Sequence, residues 1–132
     1  MTSRSRVLVA DDHRPMLDSL VRLLSPDFDV VASVGDGLAA VKEAEHLEPD
    51  LLVLDIAMPG LNGIAAAARL KERGSAAKVV FVTNMRGREF VQESLALGDI
   101  GFVDKDRVVA DLLPAIRKVL AGQAFVSPSV SR

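Results

Sequence analysis

Five short runs of aliphatic and β-branched residues recur along the chain, each followed by a longer segment of different character. Runs that are apolar on both faces are typical of strands in a parallel sheet that helices cover on both sides. The runs are "RVLVA" at 6–10, "DVVASV" at 29–34, "LLVLD" at 51–55, "KVVFVT" at 78–83 and "GFVDK" at 101–105. This repetition restricts the chain to a small set of alternating strand–helix folds.

The segments that follow the strands have the spacing of helices. Apolar residues recur at intervals of three and four in 16–24 and 109–120, more weakly in 38–47 and 90–95, and the alanine-rich stretch 64–74 has high helix propensity. Pro114 would interrupt the last helix, so we place its N-cap at Asp111, which leaves the proline in the first turn. The sequence therefore predicts five strand–helix pairs.

Right-handed crossovers limit such a chain to doubly wound topologies. We expect an α/β protein with a flavodoxin-like (βα)5 fold: a five-stranded parallel sheet in the order 2-1-3-4-5 with helices on both faces. The length of 132 residues suits one compact domain. In this architecture ligands bind where the carboxyl ends of the strands meet the loops, so that edge is where we look for functional residues.

Composition excludes several classes of function. The net charge of −2 gives no general surface for a polyanion, so we do not expect this chain alone to bind DNA. The absence of cysteine excludes disulfides and thiolate metal clusters and suits a reducing compartment. No segment approaches the roughly 20 apolar residues that cross a bilayer. We therefore expect a soluble cytoplasmic protein that does not associate with membranes.

Three acidic residues follow neighbouring strands of the predicted sheet. Asp11 and Asp12 come directly after the first strand, and Asp55 ends the third. Adjacent strands lie about 4.8 Å apart, so the three carboxylates should share one hollow. At a separation of about 4 Å and an effective dielectric near 20, each like-charged pair costs on the order of 4 kcal/mol. A divalent cation would offset this repulsion, and an all-oxygen ligand set favours Mg²⁺.

Two hydrogen-bond donors lie at the ends of the remaining strands. Thr83 closes the fourth strand and Lys105 closes the fifth, and both can donate to a phosphoryl oxygen. A hydroxyl, an ammonium and a metal ion around one carboxylate can stabilise the charge of a transferring phosphoryl group. The pattern predicts that Asp55 is the in-line nucleophile, held rigidly by its buried strand.

Four motifs, in this order, resemble the receiver domains of bacterial two-component response regulators. They are "VADDH" (9–13), "VLDIAMPGLNG" (53–63), "VFVT" (80–83) and "GFVDK" (101–105), and the match spans about residues 5–122. The resemblance implies a phosphoacceptor signalling domain and not an enzyme acting on a small-molecule substrate. It also implies that Asp55 receives its phosphoryl group from a phosphohistidine on a sensor histidine kinase.

The same resemblance assigns roles to the other residues of the site. Asp11 and Asp12 would hold Mg²⁺ together with Asp55, with Asp12 a more direct ligand than Asp11, and the backbone carbonyl of Ala57 would complete the protein ligands. Thr83 and Phe102 resemble the coupled switch pair of the family, in which the hydroxyl moves toward the phosphate and the aromatic ring turns inward.

Two details resemble the NarL/FixJ branch of the family: "KD" after the fifth strand and "GQAFVSPSV" at 122–130. Members of this branch usually carry a helix-turn-helix output domain. The resemblance implies a receiver domain at 1–122 and a tail, or the start of a linker to an absent output domain, at 123–132. Partners would be the kinase, a second copy of the chain after phosphorylation, and DNA only through that output domain. The output would be control of transcription.

Three residues depart from the family pattern. Asn84 follows Thr83, where the family usually has a small residue, and Phe102 lacks the hydroxyl of the commoner tyrosine. Many receivers have proline after the lysine, often with a cis bond that directs the lysine, whereas Asp106 follows Lys105 here. A stand-alone or degenerate receiver that acts only through protein–protein contacts is therefore kept as an alternative.

Two other classes fit the sequence less well. Phosphatases that use an aspartyl nucleophile generally have a second acid two residues later, where this chain has Ala57. A dinucleotide-binding enzyme would have a glycine-rich loop after the first strand, where this chain has "DDHRP" at 11–15.

Overall fold

A computed structural model of the chain describes residues 4–84, 98, 100–128 and 130. Within these residues one parallel sheet contains β1 (Arg6–Ala10), β2 (Asp29–Val34), β3 (Leu51–Asp55), β4 (Lys78–Thr83), β5 (Ile100–Asp104) and β6 (Phe125–Val126). The first five agree with the predicted strands to within one residue at each end. Their apolar, β-branched composition explains this agreement.

The strand order is β2-β1-β3-β4-β5-β6. The predicted order 2-1-3-4-5 is confirmed, and with it the doubly wound fold. The sheet nevertheless has one strand more than predicted, because β6 pairs in parallel with β5, with Gly101 opposite Phe125 and Phe102 opposite Val126. The sheet thus continues past residue 122, where we drew the end of the domain; that boundary stays a prediction.

The helices lie between the strands as α1 (Arg14–Leu24), α2 (Gly37–Leu47), α3 (Gly63–Glu72) and α4 (Val108–Leu120). A single 3₁₀ turn, Lys105–Arg107, precedes α4. The helix predicted around residues 90–95 lies outside the described residues. Among the described helices, none combines the length and the apolar character that a membrane crossing requires.

The two faces of the sheet bury two apolar layers. Along β1, Val7 and Val9 contribute to one layer, while Leu8 and Ala10 contribute to the other. The first layer contains Leu17, Leu20, Leu24, Leu112, Ile116 and Val119 from α1 and α4, and the second contains Ala40, Val41, Ala44, Ala66, Ala67 and Leu70 from α2 and α3. Burial on both faces holds β1 and β3 in place, so the side chains at their carboxyl ends project from a rigid edge.

The prediction for the start of the last helix was wrong. α4 begins at Val108, so Pro114 lies in the helix interior and Asp111 lies in the first turn instead of capping it. Pro114 cannot donate to the carbonyl of Ala110, but both residues are exposed, so water can satisfy that carbonyl. Packing of Leu112 and Ile116 against the sheet outweighs the local cost of the proline.

Asp36, at the start of α2, caps the helix. Its side chain accepts a hydrogen bond of 2.7 Å from the backbone N–H of Ala39. We expect Asp36→Ala to lower the free energy of unfolding by about 1 kcal/mol, because that N–H loses its partner. Urea denaturation followed by circular dichroism measures the change, since the chain has no tryptophan or tyrosine to report by fluorescence. Asp27→Ala, which removes an exposed loop acid, is the control and should change stability by less than about 0.5 kcal/mol. Equal effects of the two substitutions would contradict the capping role.

Candidate active site

Pairing of β1 with β3 brings the three predicted acids together. Ala10 lies opposite Leu54, so Asp11, the next residue, emerges beside Asp55 at the same edge. Asp11 and Asp55 are buried and Asp12 is exposed. One oxygen from each of the three carboxylates lies within 4.8 Å of the other two. The predicted hollow therefore exists: the carboxylates of Asp11 and Asp55 are buried in it, and that of Asp12 is exposed to solvent.

Local hydrogen bonds orient Asp11. Its backbone N–H donates to the carbonyl of Val34 at 3.1 Å, which ties the end of β1 to β2. Its side-chain Oδ1 accepts from the backbone N–H of His13 at 2.8 Å. The histidine thus contributes its main chain, and the bond leaves the second oxygen, Oδ2, directed to the site.

The loop after Asp55 is held against the start of α3. The backbone N–H of Gly63 donates to the carbonyl of Ile56 at 2.9 Å, and a Cβ at position 63 would lie only 2.1 Å from the carbonyl oxygen of Asp55. A side chain at 63 would therefore displace the backbone of Asp55. Ala57 is exposed in this loop, two residues beyond Asp55.

Lys105 reaches the buried carboxylates from the end of β5. Its Nζ lies 3.1 Å from Asp11 Oδ2 and 3.2 Å from Asp55 Oδ2. Burial lowers the pKa of this ammonium, but attraction by Asp55 and Asp11 more than offsets that effect, so the net pKa is raised. Lys105 consequently stays charged at neutral pH and bridges the two acids.

The pKa of Asp55 is raised to about 6. Burial is the main cause, the negative charge of Asp11 adds to it, and Lys105 opposes both. Since neutral pH is above this value, the carboxylate form predominates there, which is the form that a nucleophile needs.

The residues fit a divalent cation. Asp11 Oδ2 is buried and accepts no hydrogen bond from the described residues, although the Lys105 ammonium lies 3.1 Å away. A buried carboxylate oxygen with spare acceptor capacity, next to two further carboxylates, has the hard oxygen chemistry that Mg²⁺ prefers. One lysine cannot neutralise three acids, so the cluster retains negative charge for a cation to offset.

Thr83 lies on β4, which is next to β3, and Phe102 lies on β5, the strand beyond β4. Thr83 is buried at the end of β4 and pairs in register with Asp104 on β5. Phe102 is fully buried, and its ring centroid lies 5.3 Å from that of Phe81. The aromatic ring is therefore inside the core, on the strand that leads to Lys105.

Sequence reasoning missed Asp104 and Ser127. Asp104 is buried at the end of β5, where its side chain accepts a hydrogen bond of 2.9 Å from the backbone N–H of Asp106. An acid between a strand and a turn signals this capping role, and we passed over it in "GFVDK". Ser127 is fully buried, and its role had no local sequence signal because its Oγ accepts a hydrogen bond from the backbone N–H of Asp104, 23 positions away in the sequence.

Comparison with known proteins agrees with this geometry. The family model described as "Response regulator receiver domain" matches residues 7–117. The nitrate/nitrite response regulator protein NarL of Escherichia coli strain K12 is 34% identical over 128 residues, which cover 95% of this chain and 59% of NarL. The chain spans about three fifths of the length of the curated relatives it matches.

Solved structures lead to the same family. A LuxR-family two-component response regulator from Aurantimonas sp. SI85-9A1 has a TM-score of 0.89 at 31% identity, covering 97% of this chain and 93% of that one. RcsB, in a structure of two dimers bound to two parallel DNAs, has a TM-score of 0.83 at 27% identity, covering 97% of this chain and 66% of that one. The chain belongs to the receiver-domain family of two-component response regulators and resembles its NarL and LuxR-type members.

Proposed function

We propose that Asp55 accepts a phosphoryl group from the phosphohistidine of a sensor histidine kinase in a Mg²⁺-dependent reaction. The observation that carries the proposal is the Lys105 ammonium, which lies within 3.2 Å of a buried Asp55 carboxylate and also contacts Asp11. A fixed positive charge beside a nucleophilic carboxylate is what transfer of an anionic phosphoryl group requires.

Each residue of the site has its own role in this reaction. Asp55 Oδ attacks phosphorus in line, the P–N bond to the donor histidine breaks, and the histidine keeps the electron pair of that bond. Asp11, Asp12, Asp55 and the backbone carbonyl of Ala57 would hold Mg²⁺, which when bound supplies charge neutralisation and orientation of the phosphoryl oxygens. Lys105 neutralises the negative charge that moves onto Asp55.

The response to phosphorylation would pass through Thr83 and Phe102. A phosphoryl group adds close to two negative charges and three acceptor oxygens. The Thr83 hydroxyl would donate to one of them, and Phe102, two residues along β5 from Asp104, would stabilise the altered packing around Thr83. The Phe102 ring already lies inside the core beside Phe81, so this conformation has the ring in the inward position that the switch pair requires.

The wider role that we propose is control of transcription in the cytoplasm. The chain would serve as the receiver of a regulator whose helix-turn-helix output domain is not in this sequence, and phosphorylation would favour a homodimer. The likeness to RcsB, seen as dimers on DNA, supports this proposal. Binding to DNA would belong to the output domain, because this chain carries a net charge of −2.

Mass spectrometry after treatment with acetyl phosphate and Mg²⁺ tests the proposal. We expect one phosphoryl adduct, located on the peptide that contains Asp55. Asp55→Asn should give no adduct, and EDTA should strongly reduce the adduct on the unaltered chain. No adduct under any condition, or an adduct that survives Asp55→Asn, would instead favour a receiver that acts only through protein–protein contacts.

A further inference from the structure

The Lys105 side chain needs surrounding structure to hold its ammonium in place. Lysine has four rotatable side-chain bonds and loses substantial entropy when its ammonium is confined. Here the ammonium is confined between Asp11 and Asp55, and the side chain is only 12% exposed. A stable position of the ammonium therefore depends on a backbone fixed on both sides of residue 105.

The 3₁₀ turn supplies the first constraint. Asp104 is its N-cap, and Asp104 Oδ1 accepts a hydrogen bond of 2.9 Å from the backbone N–H of Asp106. The bond closes over Lys105, which lies between its donor and acceptor residues. Proline at position 106 could not donate this bond. The turn is thus built by the carboxylate that precedes the lysine together with a residue after it that keeps its N–H.

Ser127 supplies the second constraint from the C-terminal end of the chain. Its Oγ accepts from the backbone N–H of Asp104 at 3.2 Å, and its own backbone N–H donates to the carbonyl of Phe102 at 2.8 Å. Ser127 is fully buried, so water does not compete for these bonds. The residue before Lys105 is consequently tied to a segment more than twenty positions away.

Asp111 joins the two ends of this arrangement. Its Oδ2 accepts from Ser127 Oγ at 2.7 Å and from Arg107 Nε at 2.9 Å, and its Oδ1 accepts from Arg107 Nη2 at 3.2 Å. Arg107 is the last residue of the 3₁₀ turn. The hydrogen bonds to Arg107 hold the pKa of Asp111 below its ordinary value, so it remains an anionic acceptor at neutral pH.

We propose that Ser127 and Asp111 are positioning residues for Lys105. Ser127 holds the backbone of Asp104, Asp111 holds Ser127 and Arg107, and the turn between them presents the lysine to the carboxylates. The inference rests on the proposed function of Asp55. It also makes the C-terminal segment part of the site's support, so displacement of Ser127 from β5 would loosen the lysine.

The first test measures the initial rate of phosphorylation of Asp55 by acetyl phosphate in Ser127→Ala. We expect the rate to fall about tenfold, because a displacement of even 1 Å at a reacting group is costly. Asp111→Asn should show a similar fall and serves as the second variant if Ser127→Ala does not fold. Ile116→Val removes one buried methylene from α4, the helix that carries Asp111, and is the matched control. Its rate should stay within about twofold of that of the unaltered chain.

A double substitution separates positioning from general destabilisation. If Ser127 acts through the lysine, Ser127→Ala should have no further effect on the rate once Lys105 is methionine. A further tenfold loss in the Lys105→Met background would overturn the proposal, as would an unchanged rate in both Ser127→Ala and Asp111→Asn.

A readout independent of phosphorylation distinguishes this inference from the proposed function. The ammonium ¹H–¹⁵N signal of Lys105, assigned by its loss in Lys105→Met, should be shifted or broadened in Ser127→Ala and unchanged in Ile116→Val. If the signal changes while the unaltered chain forms no adduct on Asp55, the proposed function fails and the positioning role stands. If the adduct forms but neither rate nor signal responds, the positioning role fails.

Discussion

Lys105→Met is expected to slow the phosphorylation of Asp55 by about a hundredfold, the effect typical of removing one preorganised charged donor from a reacting oxyanion. Methionine has nearly the same length but no charge. Lys105 is the cation that pairs with both Asp11 and Asp55 among the described side chains, so its removal leaves their charges, a few ångströms apart, without that ion pair. Initial rates with acetyl phosphate, followed by mass spectrometry, give the measurement.

The same substitution should strengthen the binding of Mg²⁺. The ammonium and the cation both neutralise the three carboxylates, so removing the ammonium leaves more negative charge for the cation. Backbone amide shifts titrated with Mg²⁺ measure this affinity, and they also show whether the variant is folded. Lys118→Met, on the exposed side of α4, is the control and should change neither the rate of phosphorylation nor the affinity for Mg²⁺. A variant with normal phosphorylation, or one with weaker Mg²⁺ binding in a folded chain, would contradict the assigned role of Lys105.

Asp55→Asn is expected to stabilise the fold in Mg²⁺-free buffer at pH 7.5. The pKa of Asp55 is raised from 3.8 in a model compound to about 6 in the fold, so its charged form is unfavourable there. A shift of this size corresponds to about 3 kcal/mol at most, with the favourable contact to Lys105 already included. Urea denaturation in EDTA, followed by circular dichroism, measures the gain.

The stability gained by Asp55→Asn should increase as pH rises. Between pH 3.8 and about 6 the folded chain retains the Asp55 proton that the unfolded chain has released, so the folded state binds more protons in this window. The stability of the unaltered chain therefore falls as pH rises through the window, relative to Asp55→Asn. The difference in the free energy of unfolding between the unaltered chain and Asp55→Asn should be small near pH 4 and reach its full size above pH 7.

Asp12 provides the matched control. It belongs to the same cluster but is exposed, so Asp12→Asn should stabilise the chain much less than Asp55→Asn. Saturating Mg²⁺ should narrow the gap between the unaltered chain and Asp55→Asn, because a cation that binds the native acids stabilises the fold that holds them. A gain that is equal at pH 4 and pH 7.5 would show that charge on Asp55 is not its cause.

The cluster of acids could be predicted because strand ends are a local property. "RVLVA" and "LLVLD" are apolar on both faces; an acidic residue directly follows the first run and ends the second. In a parallel doubly wound sheet all carboxyl ends lie at one edge, so the order of the strands was enough to bring Asp11, Asp12 and Asp55 together. Lys105 could be placed at the same edge for the same reason, although its contacts to both buried acids could not be read from the sequence.

Asp111 and Pro114 show where local reasoning failed. Aspartate is a good N-cap and proline suits a first turn, so both residues favoured a helix that begins at 111. In the fold α4 begins at Val108, since Leu112 and Ile116 pack on the sheet and Ala110, whose carbonyl loses its donor at Pro114, is an exposed residue. Asp111 is then free to bind Arg107 and Ser127, a role that its helix position alone does not reveal.

The sequence by itself determined the order of strands and helices, the doubly wound sheet and the edge on which the acids meet, because these depend on residue periodicity and on general rules of strand connection. Only the tertiary structure decided the pairing of β6 with β5, the buried bonds of Ser127 and the raised pKa of Asp55. A two-residue strand has no periodic signal, and a pKa depends on the burial and charges contributed by distant parts of the chain.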